Sequence, residues 1–146
     1  MRQLDTTVIA LVGADPEPWL GVLASLANVR CLGPVDADDP LERASVTWRQ
    51  VVATRRRFTV HAADPLAGVA DAWVEFFEHR GAHGDVGVAR SHVLDRWRSG
   101  ALDLPDYYLV VDPAALDETL RHWYLGVLAT CRPSRVVVVS GHEGAV

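Results

Sequence analysis

Asp-Pro occurs four times along the chain, at Asp15-Pro16, Asp39-Pro40, Asp64-Pro65 and Asp112-Pro113, and each pair opens a stretch with apolar residues at helical spacing. An Asp before a helix caps it, because its carboxylate accepts from a free N–H of the first turn. Pro suits the next position, where its φ is already helical and its missing N–H is not needed. Three of the four pairs closely follow a β-branched, apolar run. The chain therefore marks strand-to-helix junctions in its own sequence, and that constrains it to an alternation of strands and helices.

The expected strands are 6–12, 29–35, 58–62, 107–111 and 135–139. The expected helices are 16–27, 40–56, 65–78, a short one at 88–98, and 113–130. The second helix carries the stripe Leu41, Ala44, Trp48, Val51 and Val52, a 3.6-residue pattern. The run Val136-Val137-Val138-Val139 is apolar on both faces, as a buried parallel strand requires. Each of the five Trp residues falls in a different expected helix, where core packing is the first expectation. Asp117 and Arg121, four apart, are placed to pair on the last helix. His79-Arg80-Gly81-Ala82-His83-Gly84-Asp85 reads as a loop, so the spacing of His79 and His83 is not expected to hold zinc.

This pattern predicts one doubly wound α/β domain over 1–146, with a mostly parallel five-stranded sheet and helices on both faces. By analogy with flavodoxin-like folds the expected strand order is 2-1-3-4-5. Residues 140–146 read as a flexible C-terminal tail.

Composition narrows the function classes. With 146 residues, 49% apolar and 23% charged, the chain has the balance of a globular domain. The net charge is −5, which argues against nucleic acid as the main partner. All its basic residues but histidine are Arg, so a Lys Schiff base is excluded. Arg55-Arg56-Arg57 is expected to serve a helix C-terminus. No apolar run is long enough to span a bilayer, and the N-terminus lacks a signal-peptide pattern, so no membrane role and a cytoplasmic location are expected. Cys31 and Cys131 read as small core residues, not a disulfide framework.

Ligands of open parallel sheets bind beyond the carboxyl ends of the strands, where the order reverses. The residues expected along that rim are Asp15, His61, Asp64, Asp112, Ser140 and His142, with Asp15, His61 and Asp64 nearest the reversal. No P-loop, dinucleotide fingerprint or nucleophile elbow is present. Receiver domains share the alternation and the rim carboxylates but need a Lys after the last strand. Here Ser140-Gly141-His142 stands at that place, which argues against phosphoacceptor chemistry. Tyr107, Tyr108, Arg121, Trp123 and Tyr124 concentrate groups that commonly anchor interfaces.

The leading expectation is a non-catalytic module that binds a protein partner or a small ligand, as a homodimer or within a larger assembly, with no cofactor. The alternative is a Mg²⁺-dependent enzyme acting on phosphate esters through Asp15, Asp64 and Asp112. A third is a small hydrolase built on Ser140 and His142.

Overall fold

β-branched runs become strands and the apolar stripes become the helices that cover them. The computed structural model describes residues 4–140. Its strands are β1 (Thr7–Gly13), β2 (Val29–Cys31), β3 (Phe58–His61), β4 (Tyr107–Val111) and β5 (Val136–Val139). Its main helices are α1 (Glu17–Leu23), α2 (Pro40–Val52), α3 (Ala67–Phe77) and α4 (His83–Arg98). After β4 come a 3₁₀ turn (Pro113–Ala115), α5 (Glu118–His122), a π-helical segment (Trp123–Leu128) and α6 (Ala129–Cys131). Of the expected tail, residues 141–146, including His142, lie outside the described residues.

All strand pairs are parallel, and the sheet runs β2-β3-β1-β4-β5. The five-stranded parallel α/β architecture is as expected, but the order 2-1-3-4-5 is corrected: β3 lies between β2 and β1. The cause is the β3–β4 connection, which holds both α3 and α4 and is long enough to pass over β1. β1 then becomes the central strand. Only the β1–β2 crossover runs toward the β2 edge, so right-handed crossovers put α1 on one face and the later helices on the other.

The two faces are covered unequally. On the first, Ala10, Val12, Tyr108 and Val110 form one core with Ala44 of α2, Val69 of α3, Val93 of α4, and Trp123 and Leu128. On the opposite face no residue of α1 is buried. There Leu11, Val60 and Val111 are buried, but Ile9, Tyr107, Leu109 and Val139 are only partly covered and Val137 is 43% exposed.

The four Asp-Pro junctions behave in three ways. Asp39 caps α2, accepting from Leu41 N at 3.3 Å. Asp64 accepts from Leu66 N at 2.8 Å and holds a turn that precedes α3. Asp15 and Asp112 cap nothing with their side chains; both take left-handed backbone angles, φ 46° and 44°. A residue before Pro is pushed away from the right-handed helical region, and Asp tolerates the left-handed one, so here Asp turns the chain off the strand.

Other expectations also change. The last helix does not begin at Pro113, because Leu116 is extended and breaks it. Arg121 donates to the carbonyls of Pro113 and Leu116 rather than pairing with Asp117. α2 stops at Val52, so Arg55 pairs with Asp5 and Arg57 lies over the Phe58 ring. α4 starts at His83, shortening the expected loop. Trp97 is 52% exposed and Cys131 is exposed, so neither is a core residue. Among the described residues, no helix is long and apolar enough to cross a membrane.

Candidate functional site

β1 and β3 are hydrogen-bonded neighbours whose following segments leave toward opposite faces, which opens a crevice above their carboxyl ends. Two adjoining cavities of about 170 and 180 Å³ occupy that edge. Arg43, Ala62 and Ala63 line both. His61 borders the first; Gly13, Asp64 and Tyr124 border the second.

Asp64 is the chemical centre of the cleft. It is 6% exposed. Its Oδ1 accepts from Leu66 N and from the Tyr108 hydroxyl, both at 2.8 Å. Its Oδ2 is buried and meets no donor among the described residues. Burial raises the carboxyl from 3.8 to about 6, against the two hydrogen bonds that lower it, with the negative charge of Asp71 adding to the rise. A buried carboxyl with one bare oxygen and a pKa near neutrality can accept a hydrogen bond when ionised and donate one when protonated.

The supporting side chains follow from strand parity. Tyr108 faces the main core, is fully buried, and satisfies its hydroxyl on Asp64 across the intervening strand β1. Burial, then the Asp64 charge, pushes the Tyr108 phenol well above its ordinary range, so it stays protonated as donor. His61 is 5% exposed and accepts from Ala63 N through Nδ1 at 3.1 Å. Burial lowers it from 6.5 to about 4, so it is neutral near pH 7. Arg43 on α2 ties down the acidic β2–α2 loop by donating to the carbonyls of Ala37 and Asp38 at 2.6 and 2.9 Å. Its charge also offsets part of the rise that partial burial and Glu75 impose on Asp71.

The expected rim residues separate into two groups. His61 and Asp64 border the cleft. Asp15 follows β1 but is exposed, and Asp112 follows β4. Ser140 follows β5 at the far edge of the sheet and is exposed, two strands from β1. Among the described residues no group of three His, Cys, Asp or Glu side chains is placed to hold a metal ion, so Asp15, Asp64 and Asp112 do not assemble a three-carboxylate centre.

The expected interface group is corrected too. Tyr108, Trp123 and Tyr124 are buried within the chain and cannot anchor a partner without unfolding. Arg121 is spent on backbone carbonyls, while Tyr107 is partly exposed beneath the Arg135 guanidinium, 5.0 Å from its ring centroid.

Sequence reasoning missed Arg43 and Tyr124 as cleft residues and Tyr108 as the donor that supports Asp64. For Tyr108 a signal existed: a phenol on the buried face of a strand needs an acceptor, and Asp64 was a polar residue just past the end of β3, two strands away. No such signal marked Arg43, one of several arginines on helix surfaces. No protein-family model, curated protein or solved structure matches the chain.

Proposed function

We propose that the chain is a binding module that takes a small polar ligand in the cleft above β1 and β3. The observation that carries this reading is the bare, buried Oδ2 of Asp64 at the edge of a cavity that Arg43 also lines. Buried carboxylate oxygens are ordinarily hydrogen-bonded, so an oxygen left open at a cavity suits a ligand N–H or O–H. Arg43 holds its two loop carbonyls through Nη1 alone, so its Nε and Nη2 side offers a cationic fork for a carboxylate or a similar acceptor on the same molecule. The two cavities are small, so amino acids and hydroxy acids are the first candidates. A panel of such compounds is expected to raise the melting temperature of the wild-type chain through one or more members, because a ligand bound by the folded state stabilises it. Asp64→Asn and Arg43→Gln are each expected to remove that shift. No response in the wild type, or the same response in both variants, would exclude the cleft.

The partly uncovered sheet face favours a second, compatible reading in which a protein partner, or a second copy of the chain, docks on β4 and β5. Parallel strands are normally covered on both faces. Light scattering at high concentration is expected to give a mass above the 16.0 kDa of one chain. Val137→Asp is expected to return it to that of a monomer. A wild-type monomer at all concentrations removes the homodimer.

A further inference from the structure

A second concavity lies away from the cleft, between α3, α4 and the segment leading into β4. It is a groove of about 390 Å³, walled by Leu66, Val93, Leu102, Trp97 and Trp123, with Arg90 as its one charged side chain. That volume is within the range of small-molecule sites.

Two features set it apart from an ordinary surface depression. The first is Trp97, which remains 52% exposed yet has its indole N–H bonded to Asp103 Oδ1 at 3.1 Å. The same oxygen accepts from Leu104 N at 2.8 Å. An exposed apolar ring is thus tethered in place by a hydrogen bond and keeps a large face toward solvent. The second is a lining that contains donors and no side-chain acceptor. The Trp123 indole N–H is buried without a partner, and Arg90 makes no ion pair among the described residues. Buried N–H groups rarely stay unpaired. An occupant matched to this lining has an apolar body, brings acceptors only, and carries negative charge.

The geometry points to an apolar monocarboxylic acid as the ligand of this groove, its hydrocarbon body against Trp97 and the leucines and its carboxylate on Arg90. A carboxylate supplies two acceptor oxygens, no donor and one charge, which matches one guanidinium. The groove is a separate cavity from the Asp64 cleft: none of its lining residues borders either cavity there.

The test compares decanoate below its micellar concentration with decan-1-ol below its solubility limit, by calorimetric titration of the whole chain, with Trp emission followed in parallel. Decanoate is expected to bind about tenfold tighter than the alcohol, the scale of one charge-assisted hydrogen bond. Arg90→Gln, at an exposed position, is expected to bring the acid down to the alcohol's affinity with an unchanged melting temperature. Trp97→Ala is expected to weaken both probes. Equal binding of acid and alcohol by the wild type, undiminished decanoate affinity in Arg90→Gln, or no decanoate binding at all would each overturn the proposal.

Discussion

Gly13→Ala is expected to destabilise the chain by about 4 kcal/mol, the sum of a strained backbone and an overpacked contact. Gly13 ends β1 with φ +109°, a region that residues with a Cβ rarely adopt. A Cβ there would stand 2.4 Å from the Val111 carbonyl oxygen and 2.8 Å from its nitrogen, both backbone atoms of the adjacent strand. Neither can rotate away as a side chain could. The register Gly13↔Val111 and the bond from Ala14 N to Val111 O would have to open together. Because folded domains are stable by only about 5–15 kcal/mol, that loss is a large share of the total. Urea denaturation of the variant against wild type measures it. Gly33→Ala is the control, since a Cβ there meets nothing within 4 Å and its φ is not positive. A Gly13→Ala variant as stable as Gly33→Ala would show that the β1–β4 approach is wrong.

The second large effect concerns pH, and it is hidden in the wild type. Asp64 is raised from 3.8 to about 6. Between those values the folded state holds a proton that the unfolded chain has released, so stability falls as pH rises, by about 3 kcal/mol over the full shift. His61 is lowered from 6.5 to about 4. Between those values the unfolded chain binds a proton that the folded state refuses, so stability rises with pH, again by about 3 kcal/mol. The two residues sit three apart at the end of β3, and their slopes oppose each other. Wild-type stability is therefore expected to change little through their shared window, as far as these two groups set it. Asp64→Asn leaves the His61 slope alone and should gain stability from pH 4 toward 6.5; His61→Gln leaves the Asp64 slope and should lose it from pH 4 toward 6. Urea melts across the window decide the matter. Parallel curves for the two variants would mean that at least one side chain is not buried as described.

Much of the fold was legible because strand and helix periodicity are local properties. β4 over Tyr107–Val111 and the start of α2 at Pro40 fall where the residue pattern puts them, and Asp39 caps as its chemistry suggests. The cleft was legible only in part. His61 and Asp64 were marked by strand ends, but their burial, and hence their opposed protonation, depends on Tyr108, Leu66 and the helices above them.

Capping, proline geometry and apolar spacing act over a few residues, so the order of residues along the chain was enough to specify the alternation of five strands and their helices. Long-range contacts were needed to put β3 between β2 and β1, to make Asp15 and Asp112 turn the chain instead of capping it, and to bring Arg43 to the cleft that Asp64 borders. Those outcomes depend on which distant backbones and side chains meet. Identical Asp-Pro pairs met different surroundings, and the surroundings gave them different roles.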